Sequence, residues 1–464
     1  MAIARTDRRS SPSRQLRRPW WMMLIAALAL PALARIAEED AARLGTVLTP
    51  LGAERAGTAD GVIPEWDGGL RVPPPCFKGS GTRYCDPFAD EQPLFTIHAG
   101  NLAQYAEYLS AGQAALIRKF PDRYRMPVYA TRRTFANPDF VYEAARANAT
   151  RAELQGNGEA LVGAVTGTPF PVPVNGHEVI WNHKTRYRDP VSLRWNNQFA
   201  VTASGDYSHT RFQEEVLFAY GRPGVTPDAL DNVMLYFLQV ATAPPRLSGS
   251  ILLIHDTLDS IREARRTWQY SPGQGRLRRV YNVGYDSPVL GSDGLRTSDQ
   301  GDMFNGPMDR YEWKLLGKQR LFVPANGYRL HSDTLRYADI LGPHHLNMEL
   351  TRYELRRVWV VEARLRAGAA HPYKRRRFYV DEDGWQIRVV DLYDANEELW
   401  RVQEAHTVVA YDKLYERTVC ETVYDLQNNR YLVQALDNED PQAVARAYEV
   451  DHFDPRRVSR RIRP

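Results

Sequence analysis

From Arg352 to Leu365 the chain alternates with period two. Tyr353, Leu355, Trp359, Val361, Ala363 and Leu365 fall on one parity with Arg357, and Arg352, Glu354, Arg356, Glu362 and Arg364 fall on the other with Val358 and Val360. Successive side chains of a strand point to opposite faces, so the segment reads as an antiparallel strand with one buried and one solvated face. Arg266, Trp268 and Tyr270 opposite Thr267 and Gln269 repeat the pattern, as do Trp385, Ile387 and Val389 opposite Gln386 and Arg388. Turn residues stand where hairpins need them, at 271–275, 324–327, 381–384 and 394–396. Helical spacing of apolar residues predicts helices over 38–44, 101–120 (stopped by Pro121) and 139–156. The run PDALDNVMLYFLQV at 227–240, apolar on most sides, is predicted as another. Roughly a dozen strands without a fixed-period repeat imply a large curled antiparallel sheet with helices, an α+β fold that is mainly β. Between the first helix and 101, residues 45–69 are dense in Gly, Pro and turn formers and read as an extended arm.

Charge and cysteine usage narrow the setting. The formal net charge is +4, but six arginines against one acid in residues 1–34 carry +5 of it, and the rest carries −1. The last nine residues hold Arg456, Arg457, Arg460, Arg461 and Arg463 with no acid, which leaves 35–455 at −6. An acidic body gives no basis for nucleic-acid binding. Arginines up to Arg18, an uncharged run Pro19–Ala34 and the small-x-small ending Ala32-Leu33-Ala34 form a cleavable export signal. That run of 16 residues is shorter than the roughly 20 that cross a bilayer, so the mature protein is expected outside the cytoplasm. In such an oxidising space Cys76 and Cys85 are expected to pair across a Pro- and Gly-rich loop, and Cys420 to be a buried thiol. The expected organisation is a signal at 1–34, an arm with the Cys76–Cys85 loop at 35–100, a curled-sheet domain at 101–455 and a basic tail at 456–464. The tail arginines are candidates for contact with anionic lipid headgroups.

Signatures of catalysis are sparse. The chain has no GxSxG elbow, phosphate loop or HExxH, and Gly156-x-Gly158 lacks the third glycine of a dinucleotide site. His344, His345 and Glu349 have helical metal-ligand spacing but lead into a strand. His331 with Asp333, and Asp381, Glu382 and Asp383, lie beside turns, where such residues usually cap and solvate. Asp302, Asn305 and Asp309 have part of a calcium-loop spacing without its terminal Glu. No metal or cofactor is expected.

Aromatic residues are abundant instead: 10 Trp, 25 Tyr and 15 Phe. Ten in the strand region, Trp268, Tyr270, Tyr281, Trp313, Phe322, Tyr353, Trp359, Phe378, Trp385 and Trp400, are the expected lining of a cavity on the concave face, the alternative being a filled core. The segments TWQYSPGQGRLRRVYN (267–282), DMFNGPMDRYEWKLLGKQRLFVPANGY (302–328), RYELRRVWVVEARLRAG (352–368) and YKRRRFYVDEDGWQIRVVDLYDANEELWR (373–401), with the arm LGTVLTPLGAERAGTADGVIPEWDGGL (44–70), resemble the exported proteins of the domain-of-unknown-function-1329 family. That family is distantly similar to the lipoprotein carriers LolA and LolB, and RRFYVDEDGWQIRVVDLYD is the piece most like them. The resemblance implies an unclosed β-barrel with a helical lid or plug, formed here by 101–120 or 227–240. It also implies a periplasmic, monomeric carrier or receptor for a lipid, acyl chain or sterol-like molecule, working beside a membrane exporter or outer-membrane partner, and not an enzyme. The competing readings are an exported hydrolase on the same scaffold, for which His331, His344 and Asp302 are the residues of interest, and an envelope scaffold protein. Uneven strand spacing argues against an outer-membrane barrel.

Overall fold

The computed structural model describes residues 37–281, 285–443 and 447–462; the export signal and Arg463 lie outside them. Its short strands β1 (Phe95–Ile97) and β2 (Met126–Val128) pair with each other, and β3 (Glu153–Gln155) with β4 (Ala160–Val162) forms a separate hairpin. Two antiparallel meanders follow. The first contains β5 (Val191–Val201), β6 (Tyr207–Leu217), β7 (Val233–Ala243), β8 (Ile251–Thr257), β9 (Arg266–Tyr270) and β10 (Arg278–Val280). The second contains β11 (Tyr311–Pro324), β12 (Tyr353–Leu365), β13 (Arg375–Asp381), β14 (Ile387–Tyr393), β15 (Leu399–Ala410), β16 (Tyr415–Asp425) and β17 (Arg430–Leu436). The last strand of the second meander pairs with the first strand of the first, β17 with β5, so all these strands join one 15-stranded sheet that also takes in β1 and β2. Strands β10 and β11 do not pair with each other. The sheet is unclosed and almost wholly antiparallel, as the period-two pattern and the resemblance imply, and the linker from β10 to β11 spans its open side.

Local structure departs from expectation where burial outweighs pattern. The predicted helix at 227–240 is a four-residue turn of helix, Pro227–Leu230, followed by β7. An uninterrupted apolar run suits a strand covered on both faces as well as a buried helix. Here one face of β7 meets a cavity, and the other packs Tyr236 and Leu238 in a cluster with Tyr448, Phe453 and Val458 from the C-terminal segment. The predicted helix at 101–120 breaks at Ser110, whose side chain caps Ala111–Lys119 in a box with Gln113; a cap of this kind starts a new helix. The helix Gly176–Thr185, unforeseen in the sequence, is almost wholly buried. The turn at 324–327 does not close a hairpin: β11 pairs with β12 across the long connection 325–352.

The even face of β12 is not solvated. Glu354 and Arg356 are buried there. Arg356 donates to Glu354 Oε2 at 2.8 Å and Asp383 Oδ2 at 3.3 Å, beneath the arm and Arg133. The second meander is thereby packed on both faces. One core gathers Leu116 and Ile117 with Phe322, Tyr353 and Leu355; the other gathers Val179 and Ile180 with Trp313, Phe378 and Trp385. The first meander is packed on one face only.

Candidate functional site

Because β5–β9 pair in register apart from irregularities at Arg211/Phe212 and Val233/Leu235, residues of one parity line up in rows across the strands. Arg194 lies opposite Glu214, Glu214 opposite Gln239, Gln239 opposite Leu252 and Leu252 opposite Gln269; the next row runs Ser192, Val216, Phe237, Ile254 and Thr267. All ten line one cavity of about 820 Å³. That volume falls within the roughly 300–1,000 Å³ usual for small-molecule sites. Phe218, Leu235 and Leu247 extend the apolar wall, and Arg417 and Glu421 of β16 with Gln434 of β17 close the polar side.

The β10–β11 linker covers these rows with Tyr285, Val289, Leu290, Arg296 and Asp302, and Gly81, Thr82 and Tyr84 from the Cys76–Cys85 loop complete the rim. Cys76 and Cys85 are disulfide-bonded, and Cys420 is a buried free thiol. The loop is tied down by Arg83, whose Nη1 meets Asp437 Oδ1 at 2.6 Å. Asp302 anchors the cover. Its carboxylate takes Arg186 Nη2 at 2.6 Å and Arg188 Nη1 at 2.5 Å, and its carbonyl accepts from His183 Nε2 at 2.8 Å. The expected lid helices take no part: Ala111–Lys119 packs on β14 and β15 instead.

The charged groups fall into two kinds. Glu214 accepts Arg194 Nε at 2.6 Å, Asn196 Nδ2 at 2.7 Å and Gln239 Nε2 at 2.8 Å. Burial opposes its ionisation, but Arg194 and these amides outweigh burial and hold it below the ordinary carboxylate range. Among the described residues Glu421 receives only Gln434 Nε2, at 2.5 Å, and burial with Asp302 nearby pushes it up to about 7. Among the described residues Arg296 makes no ion pair, and its Nε is buried without a hydrogen-bond partner.

Of the ten aromatics expected to line a cavity, Tyr270 lines this one. Trp268, on the opposite parity of β9, packs into the outer cluster beside His255, and Tyr281 is 78% exposed. Trp313, Phe378 and Trp385 are buried in one core of the second meander with Trp359 and Trp400 against it, and Phe322 and Tyr353 are buried in the other. These rings fill the half of the sheet that is covered on both faces. The lining belongs to the other half, where apolar and charged residues share a parity, as in Phe212 with Glu214 and Val216, beside a polar row of Ser192, Arg194 and Asn196. That mixture is the sequence signal, and aromatic counting passes over it.

The other singled-out residues have structural partners. His344 stacks on Phe120, and His345 Nδ1 lies 2.7 Å from the Leu346 carbonyl. Among the described residues no group of His, Cys, Asp or Glu is arranged to hold a metal ion. His331 is buried against Arg83 and Asp437, and burial pushes it down to about 3. Asp381, Glu382 and Asp383 join buried ion pairs with Arg388, Lys318, Arg133 and Arg356. Asp302 and Asn305 border the cavity, while Asp309 is exposed. The basic tail is a helix, Pro455–Ile462, begun by Asp454 accepting from the Arg456 and Arg457 amides; Val458 is buried, and Arg456, Arg457, Arg460 and Arg461 are exposed. No helix among the described residues is long and apolar enough to cross a membrane.

Residues 96–458 match the family model described as protein of unknown function (DUF1329). An uncharacterized protein of Pseudomonas aeruginosa is 45% identical over 433 residues, covering 93% of this chain and 95% of its own. Solved structures similar to the chain include a DUF1329 family protein from Desulfovibrio piger (TM-score 0.38, 13% identity, 57% of this chain and 91% of that one). Another is a LolA superfamily protein from Nitrosomonas europaea (TM-score 0.34, 12% identity, 61% of this chain and 98% of that one).

Proposed function

The chain belongs to the DUF1329 family, and on that premise we propose that it is an exported carrier or receptor that shelters a hydrophobic molecule in the cavity over β5–β9. One observation carries the reading: the cavity of about 820 Å³ has a continuous wall of Val216, Phe218, Leu235, Phe237 and Ile254 in a protein whose other apolar faces are packed. Transfer of apolar surface from water gains about 25 cal/mol per Å². Several hundred Å² of acyl chain therefore supports micromolar binding after the cost of association, without any catalytic group. The export signal expected at 1–34 supports a periplasmic setting for this activity, with delivery to or from an exporter or outer-membrane partner.

Delipidated protein titrated with the apolar fluorophore N-phenyl-1-naphthylamine is expected to show saturable binding with a micromolar Kd. Ile254→Trp, which fills the cavity from its floor, is expected to weaken it at least tenfold with little change in melting temperature. Absence of saturable binding to the wild-type protein defeats the reading.

A second expectation concerns the C-terminal helix. Each Lys or Arg near an anionic bilayer contributes about 1 kcal/mol, so co-sedimentation with phosphatidylglycerol vesicles at low salt should fall at least tenfold when Arg456, Arg457, Arg460 and Arg461 are all changed to Gln. Unchanged sedimentation means that the helix only covers β7.

A further inference from the structure

Polarity within the cavity is sorted. Most aliphatic and aromatic lining side chains stand on β6–β8, beside Glu214 and Gln239, and most charged ones come from β5 and its approach, β16 and its preceding turn, and the β10–β11 linker. Asp302 is shared by Arg186 and Arg188, so two guanidiniums face one carboxylate. Arg194 is matched by Glu214. Arg296 has no carboxylate within ion-pair distance and no hydrogen bond from its side chain among the described residues; Glu421 and Glu214 act on it only at longer range, and burial pulls its pKa below the ordinary arginine value. Arg186 is only 6% exposed, yet its Nε is also without a partner. Glu421, the nearby acid that would balance the group, is driven toward its neutral form by burial and by Asp302. Arg296 is half-buried with its Nε fully enclosed, so it loses hydration that no contacting counter-charge replaces, and an anion brought to it recovers that cost.

Resting on the carrier reading above, we propose that the ligand is an amphiphile with an anionic head, a carboxylate or a phosphate, held by Arg296 and the Arg186–Arg188 pair, with its chain along Val216, Phe237 and Ile254. A neutral lipid leaves Arg296 uncompensated. A cationic one adds to the excess. The head's charge, more than the chain's length, then sets which lipids are selected.

The test displaces N-phenyl-1-naphthylamine from delipidated full-length mature protein with four ligands of equal chain length: tetradecanoate, tetradecyl phosphate, tetradecan-1-ol and tetradecyltrimethylammonium. One or both anions are expected to displace the dye at concentrations at least tenfold below the alcohol, with the cation weakest; which anion wins identifies the head as carboxylate or phosphate. Arg296→Gln should bring the anions to the level of the alcohol, and Arg296→Lys should keep most of the preference, each variant's displacement being read against its own Kd for the dye. Equal displacement by the alcohol and the anions overturns the head-group assignment and leaves the carrier reading standing. An anion preference untouched by Arg296→Gln overturns the seat at Arg296. Failure of the wild-type protein to bind the dye removes both readings.

Discussion

Replacing Arg133 by Ala is expected to lower the stability of the protein by about 3–5 kcal/mol, the usual cost of removing one partner from a buried ion pair. Arg133 is 6% exposed. Its guanidinium meets Asp383 at 2.6 Å and 3.1 Å, and also donates to the carbonyls of Glu54 at 2.8 Å, Arg55 at 3.0 Å and Pro64 at 3.3 Å. One side chain thus ties the turn-rich arm to the β13–β14 turn. Truncation leaves Asp383 buried with Arg356 and removes one donor from each of three carbonyls, of which those of Glu54 and Arg55 keep Arg357 and the Trp66 amide. Urea denaturation gives the magnitude, and limited proteolysis gives the place: new cleavage is expected within 45–70 before the sheet unfolds. Arg133→Lys keeps the charge but not the planar fork and should recover less than half of the loss. A change below 1 kcal/mol in Arg133→Ala, with the arm still resistant, would show that the arm is held by its apolar contacts.

Two buried titrations of opposite sign provide the second large effect. His183 is fully enclosed, and burial, with Arg186 beside it, pushes it from its ordinary 6.5 down to about 3. Its Nδ1 accepts from the Ile387 amide at 3.2 Å, so Nε2 carries the proton given to the Asp302 carbonyl, and the native state needs the neutral ring. A depressed histidine costs nothing above pH 6.5 and destabilises progressively below it, by about 2 kcal/mol at pH 5. Glu404 is the converse. It accepts Tyr353 OH at 2.9 Å and Gln113 Nε2 at 3.0 Å, but burial pushes it from 4.5 up to about 7. Its folded-state proton is therefore favoured between those values, and acidification from pH 7.5 to 5 relieves about 2–3 kcal/mol of strain. Measured by urea denaturation at the two pH values, His183→Gln should shrink the acid loss of stability by about 2 kcal/mol, and Glu404→Gln should enlarge it by a similar amount. Parallel pH profiles for wild type and both variants would show that neither group is shifted as its burial implies. Because His183 also holds Asp302, its protonation should loosen the cavity cover first, visible as faster amide exchange at 298–305.

The alternation at 352–365 and 266–270 reports strand conformation directly, since successive strand side chains must point to opposite faces, and β12 and β9 follow it. The run at 227–240 carries no period because β7 is covered on both sides, so helix and strand were not separable there. Polar residues on the even face of β12 pointed to water, whereas Glu354 pairs with its chain neighbours Arg352 and Arg356 and Arg356 also with Asp383 of the β13–β14 turn, under a cover that Arg133 brings from far away in the chain. In the same way Trp385 and Phe378 have the composition of a ligand site but fill a core, because the helix Gly176–Thr185 and the 303–308 segment cover them.

By itself the sequence determined the antiparallel, curled, strand-rich class, the cysteine pair and the family, because each of these is written in short stretches of neighbouring residues. Which half of the sheet stays open, and that its lining joins Arg194, Glu214, Phe237 and Ile254 with Arg296 and Asp302, was decided only by the tertiary structure. The pairing of β17 with β5 and the placing of the β10–β11 linker over β5–β9 bring together residues more than a hundred positions apart. A cavity is the space left between such elements, and no local pattern encodes it.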